Sequence, residues 1–384
     1  MVTLNSADNA LKTFYLEAVK DTLDNKSNPF LAKIEKTTKN VSGKSVQVAV
    51  KTAYSSGISA GTEEGSLPTA GANRYMVFET PLKNLYGTIE ISDKAIRASA
   101  SNEGAFVNLL NDEMDSLVKN ASYNFARMLF GNTSGVLTKA TAFAGDKVVV
   151  ENPYVFAEGM SVDVYGPDDE FLDSGKVVQS IDDEEGIISF EGGLGNISDD
   201  CTFYLHGSKG NELTGLDSIF EDEVLYGCER NNRLMRPYNF PDVGAIDELI
   251  IQGAIDTIEK KSGSKINFIV CSWEVRRALL NYFKINQKTI STMEIEGGFT
   301  AMSFNGIPVV VDRFCPKDTM YLLNTDDFKL CQLCDWQWLE AEDGKILKQV
   351  PGKATYTATL VKYAELICER PYGQGRLKGI EINI

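Results

Sequence analysis

The residues that could do chemistry in this chain form only near-matches to catalytic motifs. The stretch GISAG, residues 57–61, has the G-x-S-x-G spacing of a nucleophile elbow, in which a serine attacks an acyl group. That elbow needs a strand before it and a helix after it, whereas turn-forming residues surround Ser59. The only histidine, His206, ends a distant predicted strand, so a serine relay would depend on one poorly placed base. The motif is therefore typical of a chain that turns freely.

Three further patterns imitate redox, phosphate and calcium sites. Cys331 and Cys334 form one C-x-x-C, but on a strand their side chains face opposite ways, and a zinc site needs a second pair. The glycines of the GQG at residues 373–375, taken with Gly379, miss the dinucleotide motif by one position. An acidic patch lacks the glycine and the terminal glutamate of a calcium loop: Asp163, Asp168, Asp169 and Asp173. We expect core cysteines and solvated turns, with no cofactor and no metal.

Composition argues against several other classes of protein. The chain has 54 acidic and 38 basic residues, a formal charge of -16, which argues against binding to phosphate backbones. It shows neither a basic leader with an apolar core nor a run of about eighteen apolar residues, so we expect a cytoplasmic start and no membrane insertion. The seven cysteines are thinly spread beside apolar neighbours, a pattern typical of reduced, mostly buried thiols. The length of 384 residues suggests about two or three domains.

The first third of the chain contains two helical patterns and one long hairpin. Residues 7–24 have apolar side chains at helical spacing, namely Leu11, Phe14, Ala18 and Leu23. Alternating valines from residue 44 and the return strand MVFET enclose a stretch, residues 53–74, that has almost no side chain able to anchor a core. A long amphipathic helix, capped by Asn102, should run to Phe130 and stop at Gly131.

The rest of the chain is dominated by strand patterns. Five short strands separated by turns predict a small all-β insert over residues 138–207. A helix capped by Asp242 should run through Ile246, Leu249, Ile250 and Ile258 and stop at Gly263. After the buried strand INFIVC, a second helix should open at Ser272. The run FNGIPVVVDRFCPKDTMYLLN predicts a β-hairpin, and residues 354–370 predict one long ribbon strand.

These extended parts bury little within one subunit, which makes sense if neighbouring subunits cover them. FNGIPVVVDRFCPKDTMYLLN, followed by FKLCQLCDWQWLE and YTATLVKYAELICERP, resembles the C-terminal half of the tailed-bacteriophage major capsid proteins, which have the Hong Kong 97-type fold. LKTFYLEAVKDTL with NPFLAKIEKT resembles the arm of that family, and LTGLDSIF resembles the segment that leads into its axial domain. The resemblance covers nearly the whole chain in element order, except for the β insert, which only some members carry.

The resemblance implies an α+β Hong Kong 97-type capsid fold with five parts. They are an N-terminal arm (1–43), an extended β-hairpin loop (44–80), a peripheral domain (81–137 and 345–376) with a spine helix (101–130), the all-β insertion domain (138–207), and an axial domain (208–344 and 377–384). On this basis we expect the opening hairpin and the last strand, from Leu377, to belong to the axial domain.

The resemblance also implies a function. The chain would be a structural major capsid protein, not an enzyme, and would assemble as pentamers and hexamers into an icosahedral shell that encloses double-stranded DNA. It would belong to the virion and assemble in the cytoplasm of the bacterial host, without a membrane. A portal and a maturation protease would be further partners. An encapsulin-like nanocompartment shell is the first alternative, and a serine hydrolase using Ser59 is the second.

Two departures from the family narrow these expectations. The arm pattern starts within ten residues of Met1, which favours a separate scaffolding protein over a scaffolding segment of the chain. Residues 53–74 contain no lysine, so we expect no isopeptide crosslink there, and only Lys51 and Lys83 flank the loop. Excess carboxylates could line the shell and repel packed DNA, although the sequence does not say which face holds them. The β insert should face outward as a separable module.

Inter-subunit contacts are expected on the arm, on the loop tip and in an arginine cluster. The arginines could instead bind a phosphate or be plainly exposed. The candidate contact residues are Phe14, Phe30, Tyr54, Ile58, Glu63, Glu64, Leu67, Arg74, Arg230, Arg233 and Arg236.

Overall fold

The computed structural model describes residues 28–95, 103–144, 147–195, 200–286, 291–295, 299–340 and 344–382. Its α-helices are α1 (Pro29–Lys33), α2 (Glu103–Phe130), α3 (Leu216–Glu221), α4 (Glu248–Ser262) and α5 (Trp273–Ile285). The first strands are β1 (Glu35–Thr37), β2 (Val41–Ser42), β3 (Ser45–Ala53), β4 (Arg74–Pro81) and β5 (Lys83–Ser92). The insert contributes β6 (Val136–Ala144), β7 (Lys147–Val150), β8 (Ser161–Tyr165), β9 (Phe171–Asp182), β10 (Ile187–Phe190) and β11 (Thr202–Leu205).

The remaining strands are β12 (Val224–Leu225), β13 (Cys228–Glu229), β14 (Tyr238–Phe240), β15 (Phe268–Cys271), β16 (Ser291–Ile295), β17 (Phe299–Phe304), β18 (Ile307–Val311), β19 (Met320–Leu323), β20 (Phe328–Trp338), β21 (Lys348–Gln349), β22 (Thr355–Cys368) and β23 (Gly375–Leu377). Helices and strands are mixed along the chain, which confirms the predicted α+β class.

Side-chain caps begin helices α1, α4 and α5. The Ser272 hydroxyl accepts from the N–H of Val275 at 3.1 Å, so α5 opens where the sequence predicted. The cap of α4 is Asp247, which accepts from the N–H of Ile250 at 2.7 Å, and the predicted cap Asp242 is wrong. Asp242 has a φ of 53°, outside the extended conformation of an N-cap. Gly263, at a φ of 69°, ends α4 as predicted.

The long helix α2 spans 28 residues, or about 42 Å at the standard rise. Its C-terminal turns bury Phe125, Leu129 and Phe130, and the N–H of Gly131 bonds to the Arg127 carbonyl as the helix ends. The predicted stop at Gly131 is therefore confirmed. The predicted cap Asn102 and the side chains of residues 103–112 lie outside the described residues.

A seven-stranded sheet with the order β14-β23-β19-β15-β18-β17-β16 forms one half of the body. Its central strand β15 pairs parallel with β18 and antiparallel with β19, so β18 and β19 do not pair with each other. The predicted hairpin over FNGIPVVVDRFCPKDTMYLLN is therefore wrong. A fully buried strand gives no local sign of which strand it will pair with. Here β15, the strand of INFIVC, lies in the sheet between β18 and β19, the two strands that were predicted to pair. Helices α4 and α5 share an apolar core with this sheet through Ile251, Ile255, Ile258, Val275 and Leu279.

The second sheet is built on the long strand β22, which spans 14 residues, about 46 Å. It pairs antiparallel with β20 on one side and with β5 on the other, while β1 adds to β20 in parallel. This sheet, the C-terminal turns of α2 and the stem formed by β3 and β4 share one apolar core.

The insert is a closed barrel with the strand order β10-β7-β6-β11-β8-β9. It has its own apolar core, in which Val162, Val164, Ile188 and Phe203 are fully buried. Strand β6 begins at Val136, so the barrel starts two residues before the predicted boundary. The sequence analysis missed this strand because its run VLTKATAFA alternates only weakly between apolar and polar residues.

Candidate functional site

The stem of the extended loop is part of the subunit core. Strands β3 and β4 pair in register from Ser45 with Pro81 to Lys51 with Tyr75. Alternate side chains point into the main core, and Val46 and Phe78 are almost completely buried. The ring of Phe78 lies 5.5 Å from that of Tyr226. The stem is thus held by its own subunit.

The tip of the loop, residues 54–73, has no comparable anchor. Its sizeable apolar side chains are almost fully exposed, with Tyr54 at 83%, Ile58 at 92% and Leu67 at 91%. Polar contacts hold the two limbs side by side, because Ser55 bonds through its N–H to the Asn73 side chain at 3.0 Å and through its hydroxyl to the Gly71 carbonyl at 2.7 Å. Hydrogen bonds therefore hold the two limbs of the tip together, but the tip has no core of buried apolar side chains.

Two charged residues of the tip, Glu63 and Glu64, and Arg74 at the start of β4 are exposed. Within the described part of the chain, none of them forms an ion pair. Apolar groups and unpaired charges thus share one projecting surface, a combination that suits a partner of matching shape and charge.

The outer face of the stem adds two apolar side chains that the sequence analysis missed. Tyr75 and Val77 point away from the core and are exposed. The sequence of β4 contains a sign of this second apolar face. RYMVF puts apolar residues on both faces of the strand, whereas a strand with one covered face needs apolar residues only at every second position.

The tip does not have the geometry of a nucleophile elbow. Strand β3 ends at Ala53, and residues 54–61, which include Ser59, form neither strand nor helix. His206 lies on the barrel, where its Nδ1 is 2.7 Å from a carboxylate oxygen of Asp163. The same Asp163 accepts from the N–H groups of Gly175 and Gly207, so it organises turns of the barrel.

The other chemical motifs also have structural explanations. Cys331 is buried and Cys334 half-buried on β20, and five of the seven cysteines are buried as predicted. Gly375 allows a close approach, since a Cβ there would clash with the Ile258 side chain. No group of metal-binding side chains occurs among the described residues. Likewise, no described helix has the length and apolar character needed to cross a bilayer.

The arginine cluster is divided between internal and exposed roles. The half-buried Arg230 donates to the carbonyls of Ser218 and Ile219 at 2.8 and 2.7 Å, so it caps the C-terminal end of α3. Arg233 is exposed and donates to the Lys261 carbonyl at 2.9 Å, while Arg236 donates to the carbonyl of Arg230. The guanidinium group of Arg230 therefore already has hydrogen-bond partners within its own chain.

Two buried carboxyl groups hold loops against the body. One oxygen of Glu365 on β22 accepts from the N–H groups of Thr214 and Leu366, and burial raises the pKa of this side chain to about 7. Asp312, which follows β18, accepts from the Asn28 amide at 2.6 Å, and burial raises its pKa to about 6. The buried pair of Arg127 and Glu212 joins α2 to the segment that leaves the barrel.

A solved capsid structure aligns with this arrangement over most of its length. The cyanophage A-1(L) capsid asymmetric unit matches with a TM-score of 0.56, covering 91% of this chain and 90% of that chain at 10% sequence identity. The chain has the Hong Kong 97-type capsid fold. No model of a known protein family matches the sequence, and neither does any curated protein.

Two further capsid-fold structures align at lower scores. The capsid of the native GTA particle gives a TM-score of 0.49 at 11% identity, covering 92% of this chain and 90% of that chain. The holo-SrpI encapsulin complex from Synechococcus elongatus PCC 7942 gives 0.45 at 8% identity, covering 93% and 89%.

The capsid fold clarifies the domain boundaries drawn from the sequence. Strand β20 was assigned to the axial domain, but it belongs to the sheet of the ribbon strand β22. Strand β23 belongs to the seven-stranded sheet and starts at Gly375, two residues before the predicted boundary. Among the described residues after Leu377, a single bridge occurs, between Gly244 and Ile380.

The structure bears on two of the expected inter-subunit contacts, Phe30 and Phe14, and on Leu249 of α4. Phe30 is wrong as a contact, because it is 1% exposed and lies among the rings of Phe130, Phe268 and Phe328. Phe14 lies outside the described residues. Leu249, predicted to lie within this helix, is 80% exposed, because it is on the side of α4 opposite the buried Ile251.

The acidic excess of the chain is concentrated in the insert. Residues 138–207 contain 15 acidic and three basic residues, a net charge of -12 out of the total of -16. The other 314 residues therefore carry a net charge of only -4. Most of the net negative charge therefore lies in the barrel and not in the body of the fold.

Proposed function

We propose that the chain is the major capsid protein of a tailed phage, which assembles with copies of itself as pentamers and hexamers into an icosahedral shell around double-stranded DNA. The single observation that carries this proposal is the loop tip, which projects from a capsid-fold body with exposed apolar side chains and unpaired charges. A subunit that acted alone would gain nothing from such a surface, because it costs solubility and adds no stability.

The contacts follow from the geometry of the tip and the stem. In the shell the tip lies across a neighbouring subunit, which buries Tyr54, Ile58 and Leu67. Glu63, Glu64 and Arg74 pair with opposite charges there, which favours the correct neighbour more than it raises affinity. The outer stem face, with Tyr75 and Val77, continues the same surface. Leu249 contributes where axial domains meet around a capsomer axis, and the exposed arginines 233 and 236 face neighbouring carboxylates.

The barrel belongs to the outside of the shell in this proposal. Most of the negative charge then faces outward, so the hypothesis of a strongly acidic lining is no longer needed to account for the charge of -16. DNA is enclosed without sequence-specific contacts. A separate scaffolding protein, a portal and a maturation protease complete the assembly, which takes place in the bacterial cytoplasm and ends in the virion.

Electron microscopy of the purified protein, with scaffolding protein co-expressed where needed, tests the proposal. We expect closed icosahedral shells, and particles recovered from infected cells should protect DNA from added nuclease. Small uniform shells that enclose an enzyme and no genome would identify a nanocompartment instead. Failure to form any shell with scaffolding protein present would contradict both assignments.

A further inference from the structure

Strand β5 has one hydrogen-bonding edge that the described residues leave uncovered. The strand spans ten residues, and all of them, from Lys83 to Ser92, pair antiparallel with β22 without a bulge. The N–H of Asp93, the residue after the strand, donates to the Ala354 carbonyl on that same side. Neighbouring residues of a strand direct their backbone groups to opposite edges, so Gly87 and the other odd-numbered residues face β22. The even-numbered residues therefore face the other edge.

The hydrogen bonds at the start of the strand agree with this assignment. The N–H of Leu82, an even-numbered position, donates to the Lys44 carbonyl at 2.9 Å and not to β22. The next outward residues are Asn84, Tyr86 and Thr88, whose backbone groups have no hydrogen-bond partner within the described part of the chain. Edge strands of natural proteins are usually short, bulged or blocked by proline, and β5 has none of these features. Its outer edge is therefore able to pair with a strand of another chain.

A cavity of about 470 Å³ runs along the same edge. Six consecutive residues, 82–87, line it, although the side chains of a strand alternate between the two faces of the sheet. Consecutive residues can line one cavity only where the cavity lies beside the strand edge. The other walls are α2, through Leu117, Ala121 and Asn124, and the end of the barrel, through residues 205–208. We call this cavity the edge slot.

The walls of the edge slot offer unused hydrogen-bonding groups, while their charged groups already have partners. The indole N–H of Trp336, a side chain only 2% exposed, has no hydrogen-bond partner among the described residues, and neither has the amide oxygen of Asn124. Of the charged side chains in the walls, Lys83 donates to a backbone carbonyl at 2.9 Å, and Glu212 pairs with Arg127. Each residue of a peptide supplies one donor and one acceptor, so an extended peptide matches these walls.

The charges around the edge slot favour basic residues at the ends of that peptide. Glu90 lies farther along β5, is exposed and forms no ion pair with a described residue. The barrel on the other side has a net charge of -12. Opposite charges on neighbouring strands are stabilising, so a cation beside Glu90 would strengthen the pairing. The loop tip of a second copy lacks one, since residues 54–73 contain two glutamates and no lysine or arginine.

We propose that the outer edge of β5 and the edge slot bind an extended segment of a partner protein, which pairs as an added strand, places an apolar side chain between α2 and the barrel, and carries basic residues at its ends. Backbone bonds to Asn84, Tyr86 and Thr88 hold the segment, and the slot accommodates the apolar side chain. The edge from Asn84 to Glu90 is about 20 Å long, enough for about seven residues. The site is complete in one subunit, so it does not depend on shell assembly.

Peptide binding to the purified, unassembled full chain tests the site. The probe is the fluorescently labelled peptide acetyl-KTVTVTK-amide, and its matched control, acetyl-ETVTVTE-amide, changes only the charge of the two ends. Fluorescence anisotropy should show that the basic peptide binds about tenfold more tightly than the acidic one. No binding of the basic peptide, or tighter binding of the acidic control, would overturn the proposal. Tighter binding of a peptide with the sequence of residues 54–62 would also overturn it, by assigning the slot to the loop tip of a second copy.

Two variants of one residue isolate the backbone bond. Tyr86→Ala and Tyr86→Pro both remove the ring, but only proline removes the outward N–H, and it breaks no bond to β22. Tyr86→Pro should therefore weaken binding of the basic peptide about tenfold relative to Tyr86→Ala, at a similar melting temperature. Equal binding by the two variants would contradict strand addition.

Hydrogen–deuterium exchange gives a readout on the unaltered chain. The amides of Asn84, Tyr86 and Thr88 should exchange quickly in the free subunit and slowly once the basic peptide is added. The amides of Leu85 and Gly87, which bond to β22, should exchange slowly in both states. Slow exchange of the outward amides without peptide would show that another part of the chain already covers the edge, and fast exchange with peptide bound would show that no strand is added. Either result would overturn the proposal.

Discussion

The insertion barrel and the loop tip both project from the body of the subunit, but they differ in what holds them together. The barrel closes its own sheet and buries thirteen of its described apolar side chains in a core of its own. No residue of the tip, residues 54–73, is buried. A segment with a core can fold on its own, whereas a segment without one must obtain its ordering free energy from a partner.

The strongest test of this difference is a matched pair of truncations. Phe203 is fully buried in the barrel, with the rings of Phe156 and Phe190 at 5.8 and 5.7 Å. Phe203→Ala should lower the free energy of unfolding of the barrel by about 3–5 kcal/mol. Ile58→Ala should change that of the isolated subunit by less than about 0.5 kcal/mol. Urea denaturation followed by circular dichroism measures both, and equal effects would remove the distinction between the two regions.

A smaller effect also distinguishes the body from the barrel, because a buried carboxyl group in each makes its stability change with pH in opposite directions. Burial raises the pKa of Glu365 from 4.5 to about 7, so its contribution to stability is complete below pH 4.5 and is lost as the pH rises through 7. The loss amounts to about 3 kcal/mol. Glu365→Gln should therefore flatten the fall in melting temperature of the body between pH 5 and pH 8. A variant that keeps the slope of the unaltered chain would show that another group causes it.

Asp163 makes the stability of the barrel depend on pH in the opposite direction. Burial raises the pKa of this carboxyl, but hydrogen bonds from Gly207, His206 and Gly175 outweigh burial and hold the pKa below its ordinary value. Its contribution is complete above pH 3.8 and is lost as the pH falls through the folded-state pKa. Asp163→Asn should therefore reduce the acid sensitivity of the barrel, as measured by circular dichroism, and leave the body unaffected.

Removing the barrel should have a still smaller effect on the body. Replacing residues 136–206 with a short Gly/Ser linker should abolish the barrel transition in calorimetry and leave the melting temperature of the body nearly unchanged. The shells should still close, with a subunit charge of -4. Insoluble protein from this variant would show that the body needs the barrel, through contacts such as Tyr123 with the Phe156 carbonyl.

Sequence patterns predicted the features that depend on neighbouring residues. The stop of α2 at Gly131, the Ser272 cap and the exposed tip all follow from local spacing and composition. Patterns failed where distant segments decide the outcome. Strand β15 separates β18 from β19, and a nest of aromatic rings from three parts of the chain buries Phe30. The hydrogen bonds of Arg230 within its own chain could not be predicted for the same reason. The sequence of a loop does not show which backbone carbonyls will lie next to its side chains in the fold.

The central claim is that the tip exists for a neighbouring subunit, and one variant tests it most directly. Ser55 and Asn73 already lie side by side, so residues 56–72 can be replaced by an Asn-Gly turn without moving the stem. The matched control keeps the tip and carries only Ser56→Ala and Ser59→Ala.

Calorimetry and electron microscopy of the same two preparations give the decisive measurement. We expect both subunits to melt at nearly the temperature of the unaltered chain, and only the control to form closed shells. A large fall in the melting temperature of the shortened subunit would place the tip in its own core, and normal shells from it would show that assembly does not use the tip. Either result would contradict the account.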